Sequence, residues 1–202
     1  MSQTHAGRLV LVRHGETEWS RTGRHTGRTD LPLTDQGERD AAALGAALGR
    51  FDLGLVLVSP LMRARRTAEL AGLTPDRVDE DLVEWDYGAV EGRTTAELRE
   101  ALGDPGWTVL EHGVSPGDTP GETVEEVAAR ASRVLQRVAP ELARHDVALV
   151  GHGHALRILT ATYLRQEPRF AARLVLDAGA LSVLGHERDE PALLAWNVRP
   201  SG

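Results

Sequence analysis

Short runs of consecutive apolar residues alternate with longer amphipathic stretches along this chain. Arg8–Val12 is an apolar run that ends in a polar turn and predicts a strand, and Leu55–Val58 and Val147–Val150 predict two more buried strands. Thr34–Leu48 has helical spacing with Thr34 placed as its N-cap. Ser59-Pro60 reads as an N-cap followed by proline at the first helical position, which predicts a helix running to about Leu70. Thr94 with Glu97, and Thr123 with Glu126, have capping-box spacing. The second pair opens a helix whose Val124, Val127, Ala128, Ala131, Leu135 and Val138 keep one face apolar. A further helix is predicted from about His154 to Leu164, and Leu181–Leu184 and Leu193–Trp196 predict late strands at a sheet edge. No internal repeat or long linker interrupts the pattern, so residues 1–202 read as one domain.

Strands that alternate with helices predict an α/β layer fold with a mostly parallel sheet. Ligands of such sheets bind just beyond the carboxyl ends of the strands. The first strand delivers Arg13-His14-Gly15 to that rim, and the third delivers Gly151-His152-Gly153-His154. Two histidine-bearing turns, far apart in sequence, are therefore expected to meet. Gly15, Gly151 and Gly153 suit turns where backbone approaches a ligand closely.

Composition narrows the chemistry. The chain has 202 residues, 41% hydrophobic and 26% charged, a globular balance with length enough for its own core. Aromatics are only 4%, so Leu, Val and Ala must build that core. There is no cysteine, which removes disulfides, thiolate metal sites and cysteine nucleophiles together and fits a reducing compartment. Met1–Gly7 is short and polar, and Leu9–Val12 is too brief for a signal or membrane segment; the expectation is a cytoplasmic protein with no membrane partner. The formal net charge of −7 disfavours sequence-independent nucleic-acid binding. It also means that an anionic substrate must be collected by local cations.

Phosphoryl transfer to histidine needs a neutral ring nitrogen facing phosphorus and cations around the equatorial oxygens. It also needs an acid for the leaving alcohol that later serves as base for water. His14 is the candidate nucleophile, and cations beside it would keep its ring neutral. Arg13 and Arg63 are candidate phosphate clamps, because guanidinium forks match phosphate oxygens. His152 is a candidate donor to the phosphate. Glu84, in Glu84-Trp85-Asp86-Tyr87-Gly88, is the candidate acid, with Trp85 predicted to supply an apolar setting. Glu80, Asp81 and Asp86 compete with it as solvent-facing carboxylates.

Arg13-His14-Gly15-Glu16-Thr17, Thr26-Gly27 before Leu31-Pro32-Leu33-Thr34, Ser59-Pro60-Leu61-Met62-Arg63-Ala64 with Thr67, Glu84 to Gly88, and Gly151-His152-Gly153 fall in an order that closely resembles the histidine phosphatase superfamily, the phosphoglycerate mutase-like family. The resemblance runs from about residue 8 to residue 165. It implies a three-layer α/β/α sandwich with a mostly parallel central sheet, and a phosphohistidine formed on His14. Arg13, Arg63 and His152 would complete the phosphate pocket, and Glu84 would be the proton donor. Ser20, Thr26, Gly27, Tyr87, Gly153 and His154 match positions that line the phosphate and substrate pocket. His154 is equally placed to touch substrate or to cap the next helix. The resemblance implies neither metal nor other cofactor. Glu18-Trp19-Ser20, His25-Thr26-Gly27, Thr29 to Thr34, Gly151 to Arg157 and Glu190-Pro191-Ala192-Leu193 are similar to the sedoheptulose-bisphosphatase-like, broad-specificity branch.

A phosphatase and a mutase share the phosphohistidine and part at its fate. Mutases of this family carry a lysine after the Tyr-Gly motif and an arginine pair in a following insertion. Here the matching lysine position is Thr95, and Gly103–Gly121 contains neither arginine nor lysine. The reading is therefore a phosphatase for small phosphorylated metabolites such as sugar phosphates or bisphosphates. The alternatives are a phosphoglycerate mutase and a non-catalytic relative that binds a phosphorylated ligand. His5, His112, His145 and His186 match nothing, and the late edge strands leave a homodimer open.

Overall fold

The computed structural model describes residues 7–199; His5 lies outside them. Six strands form one sheet: β1 (Leu9–Arg13), β2 (Leu53–Val58), β3 (Arg77–Val78), β4 (Asp146–Gly151), β5 (Leu181–Glu187) and β6 (Glu190–Val198), in the order β3-β2-β4-β1-β5-β6. The pairings β1 with β4, β2 with β4 and β2 with β3 are parallel, whereas β5 runs antiparallel to β1 and pairs with β6 as a hairpin.

Among the described residues, seven α-helices connect or flank these strands: α1 (Glu18–Arg21), α2 (Asp35–Leu48), α3 (Met62–Leu70), α4 (Thr95–Leu102), α5 (Val109–His112), α6 (Val124–Leu142) and α7 (Gly153–Tyr163). Side chains alternate across a strand, and the two sets have different partners. Leu9, Leu11, Leu57, Val147 and Leu149 pack on one face with Val134 and Val138 of α6 and Leu156 and Leu159 of α7. Val10, Val12, Val56, Val58, Ala148 and Val150 pack on the other with Leu44 and Leu48 of α2 and Ala64 and Ala68 of α3. The result is an α/β/α sandwich whose central strands are apolar throughout because both faces are covered. A third cluster joins Trp85, Tyr87, Trp107, Val127 and Ile158 beneath α4 and α5.

Thr34, Thr94 and Thr123 cap α2, α4 and α6 as their spacing predicts, the last two in full capping boxes. The Ser59-Pro60 reading needs correction. Helix α3 starts at Met62, and its N-cap Leu61 makes no side-chain cap. The carboxylate of Asp30 instead accepts the Met62 N–H at 2.9 Å, which releases Ser59 for another task. Gly103–Gly121, the segment without arginine or lysine, contains α5, capped by Thr108 and packed through Val109 and Leu110.

Candidate active site

Strand register decides where the two histidine turns fall. Arg13 stands opposite Gly151 in the parallel β1–β4 pair. The next residues, His14 and His152, therefore leave neighbouring strands at the same rim, with ring centroids 5.1 Å apart. The His14 N–H donates to the Gly151 carbonyl at 3.0 Å. His14 is buried, and its Nδ1 lies 2.7 Å from the Gly15 carbonyl. A carbonyl only accepts, so Nδ1 carries the proton and Nε2 of the neutral ring keeps its lone pair. Burial, then the charges of Arg63 and Arg13, push the His14 pKa well below the ordinary 6.5. Gly15 is required at this turn because a Cβ there would meet the Gly37 carbonyl oxygen at 2.3 Å. The Gly15 N–H donates to Thr67 Oγ1 at 3.0 Å, and that hydroxyl donates to the Arg63 carbonyl at 2.7 Å, fastening the turn to α3.

Arg63 was expected to be a free fork for phosphate, and the structure gives its guanidinium other partners. It is wholly buried, and its N–H groups donate to the carbonyls of Thr26, Gly27 and Thr29 at 2.9–3.1 Å and to His152 Nδ1 at 3.2 Å. The Thr26–Thr29 segment is brought there by Glu91, whose carboxylate accepts the N–H groups of Gly27 and Thr29. Arginine keeps its protons, so His152 Nδ1 is the acceptor and the Nε2–H of the neutral ring donates to Ser59 Oγ at 2.7 Å. Burial, then Arg63 and His14, hold the His152 pKa well below 6.5. Both nitrogens of His152 are thus engaged within the protein. The His152 ring lies beside that of His14, and the Arg63 charge is felt by both.

A cleft of about 200 Å³ opens in front of this pair. His14, Arg13, Glu84, Ser20, Thr26 and Tyr87 line it, as do Gly153 and His154. Gly27 stands behind the wall, with its carbonyl on Arg63. Arg13 anchors one guanidinium nitrogen on the Leu176 carbonyl, while its Nε is buried with no hydrogen-bond partner among the described residues. Gly153 makes room for that guanidinium: a Cβ there would stand 3.2 Å from Arg13 Cζ.

Glu84 is buried, and the apolar setting expected from Trp85 is replaced by backbone donors. Its carboxylate accepts the N–H groups of Trp85 and Ala155 at 2.9 Å and of His154 at 3.1 Å. It thereby serves the open N-terminus of α7, whose N-cap His152 makes no side-chain cap. The Trp85 ring instead donates to the Glu122 carbonyl and stacks toward Tyr87. His154 does not cap the helix: its Nδ1 lies 2.6 Å from the Tyr87 hydroxyl on the cleft wall. Burial, then the Arg157 charge, lowers its pKa well below 6.5, and burial, then Glu84, raises that of Tyr87 well above 10.0.

Arg24, His25, Thr95 and Arg157 also line the cleft, and sequence reasoning gave none of them a site role. His25 and Arg157 lie inside the quoted motifs, and Thr95 occupies the position aligned with the mutase lysine. His112, His145 and His186 are exposed and do not line the cleft. No cluster of three or more His, Asp or Glu side chains among the described residues is arranged to hold a metal ion. A larger groove of about 910 Å³, between α2, α3 and β3, includes none of the predicted site residues.

A mostly parallel α/β sandwich that sets a neutral, buried imidazole and an arginine at one strand rim defines a phosphoryl-transfer class. Residues 9–199 match the model of the histidine phosphatase superfamily (branch 1), and the chain belongs to that family. It is similar to an acid phosphatase of Mycobacterium tuberculosis, 38% identical over 182 residues that cover 89% of this chain and 87% of the relative. It is also similar to sedoheptulose 1,7-bisphosphatase of Saccharomyces cerevisiae, 34% identical over 185 residues, 77% of this chain and 67% of the relative. A solved open reading frame product of Mycobacterium tuberculosis superposes with a TM-score of 0.90 at 36% identity, covering 96% of this chain and 99% of that one.

Proposed function

We propose that this protein is a metal-independent phosphatase for small phosphate monoesters, sugar phosphates and bisphosphates among them, that works through a phosphohistidine at His14. The observation that carries the reading is the state of His14: a buried neutral ring, held by its Nδ1–H on Gly15, with Nε2 left as nucleophile. Nε2 attacks phosphorus, the ester P–O bond breaks, and protonated Glu84 gives its proton to the departing alkoxide. Glu84, now a carboxylate, takes a proton from water as the water oxygen attacks phosphorus. The P–N bond then breaks, and inorganic phosphate leaves.

Arg13 meets the phosphoryl oxygens with the part of its guanidinium fork that faces the cleft while Nη1 stays anchored on Leu176. Arg63 and His152 hold charge and position from behind the His14 ring. Ser20, Thr26, Tyr87, Gly153 and His154 form the wall for phosphate and leaving group, and Gly27 shapes it through Arg63.

Thr95 favours water over a sugar acid as acceptor. A lysine at that place on the cleft could hold a carboxylate or second phosphate, and threonine brings no charge. The proposal extends to a single domain acting in the cytoplasm on soluble metabolites, supported by the cysteine-free, net-acidic composition. Among the described residues no helix is long and apolar enough to cross a membrane. The free edge of β6 is the surface a homodimer would use.

The test is hydrolysis of an aryl phosphate with a chelator present, alongside a phosphoglycerate interconversion assay. Chelator-resistant hydrolysis that is lost in His14→Ala supports the proposal. Loss with chelator, or full activity of His14→Ala, overturns it. Interconversion outpacing hydrolysis returns the mutase reading, and phosphate binding without turnover returns the non-catalytic one.

A further inference from the structure

The carboxylate of Glu84 accepts three backbone N–H groups but, among the described residues, meets no side-chain donor. Its place therefore depends on the backbone on either side, and that backbone is gripped from α6. Arg130, Arg133 and Arg137 form a stripe along α6, facing the segment that leads into Glu84. Arg137 reaches Asp79 at 2.6 Å and Asp81 at 2.8 Å, and Arg133 pairs with Asp81 at the surface.

Arg130 differs in being buried, only 5% exposed. Its Nη1 donates to the carbonyls of Asp81 at 3.0 Å and Val83 at 2.7 Å, and Val83 immediately precedes Glu84. Its Nε and Nη2 grip both carboxylate oxygens of Glu122, at 2.9 and 3.2 Å. Glu122 carries the hold past Glu84 to the other side. Its carboxylate accepts the Asp86 N–H at 2.9 Å, its carbonyl accepts the Trp85 indole N–H at 2.7 Å, and its own N–H donates to the Asp86 carbonyl at 2.9 Å. One guanidinium thus fixes the residue before Glu84 directly, Asp86 through the Glu122 carboxylate, and Trp85 through the backbone of the same Glu122.

We propose that Arg130, with Glu122 as its partner, is a positioning residue that holds the Val83–Asp86 turn so that the Glu84 carboxyl faces the cleft in the geometry needed for proton transfer. This rests on the reading of Glu84 as the general acid. Neither Arg130 nor Glu122 lines the cleft, so the pair acts only through the turn it braces. A displacement of about 1 Å at a reacting group costs on the order of a hundredfold in rate, so loosening one side of the brace is expected to cost about tenfold at the proton-transfer step.

The leaving group separates this role from a merely structural one. An aryl phosphate such as p-nitrophenyl phosphate departs without protonation, whereas an alkyl phosphate such as glycerol phosphate requires it. Because kcat/KM reports only steps up to release of the alcohol, the alkyl-to-aryl ratio of kcat/KM reads the acid. The enzymes compared are wild type, Glu84→Gln, Arg130→Met, Glu122→Gln and, as a surface control, Arg133→Ala. The ratio is expected to fall about a hundredfold in Glu84→Gln and about tenfold in Arg130→Met and Glu122→Gln; it is expected to hold in Arg133→Ala. If Glu84→Gln lowers the ratio while the Arg130 and Glu122 variants match wild type, the positioning role is refuted and the Glu84 reading stands. If Glu84→Gln leaves the ratio unchanged, both fall. Should Arg130→Met fail to fold, Glu122→Gln, which keeps size and shape, decides alone.

Discussion

Gly153→Ala should leave the protein at least as stable and yet slower. Gly153 opens α7 with a negative-φ backbone that alanine can adopt. At a compatible position, Gly→Ala stabilises by about 0.4–1 kcal/mol through the unfolded chain. The added methyl, however, would stand 3.2 Å from Arg13 Cζ, 3.3 Å from Nε and 3.5 Å from Nη1. The first two separations are short of ordinary contact, so the guanidinium must withdraw by a few tenths of an ångström. Arg13 cannot withdraw freely, because it is anchored on Leu176. With about a hundredfold lost per ångström of misplacement, a shift of about 0.3–0.5 Å predicts a four- to tenfold fall in kcat/KM. Thermal unfolding and aryl phosphate kinetics measured on the same preparation check both halves. A Tm at or above wild type with kcat/KM within twofold would refute the idea that the Arg13 fork must be held tightly. A lowered Tm would show that the methyl cannot be accommodated at all.

Ser59→Ala removes the acceptor of a fully buried histidine N–H and should cost about 1–3 kcal/mol of unfolding free energy in denaturant titration. Glu91→Ala should loosen the Thr26–Thr29 segment on which Arg63 rests, lowering stability by about 1–3 kcal/mol and slowing aryl phosphate hydrolysis. Stability should also fall as pH drops below 6.5. His14, His152 and His154 have pKa values well below that figure in the folded state, so the unfolded chain takes up protons that the native state refuses. Each contributes a slope of up to about 1.4 kcal/mol per pH unit. Denaturation midpoints at pH 7 and pH 5 check this, and an equal or higher stability at pH 5 contradicts it.

The sheet and the meeting of the histidine turns were legible because they depend on local pattern. Apolar runs mark strands covered on both faces, and parallel strands end at one rim, so Arg13-His14 and Gly151-His152 had to converge. Threonine caps were legible for the same reason, since a capping box is a contact within four residues. Ser59 was not: a serine before proline looks like a helix cap, and only the partner 93 positions away shows that its hydroxyl belongs to His152. The partners of Arg63 were hidden likewise, because three of them lie on a segment that Glu91 folds back from a distance. The Glu84 motif identified the carboxylate and its neighbour Trp85 but not the distant backbone donors. Its surroundings are set by the first amides of α7, about seventy residues on. Thr95 was seen in sequence as a missing lysine, and the structure gave that absence a location on the cleft wall.

The central claim is that His14 Nε2 carries the phosphoryl group. Glu84→Gln should slow release of that group to water, so this variant is mixed with a labelled aryl phosphate, quenched in alkali and digested for mass spectrometry, with His14→Ala in parallel. The expected result is a phosphoryl group on His14 that survives alkali, is lost in acid, and is absent from His14→Ala. Turnover with no label on His14, or label on another residue, would contradict it.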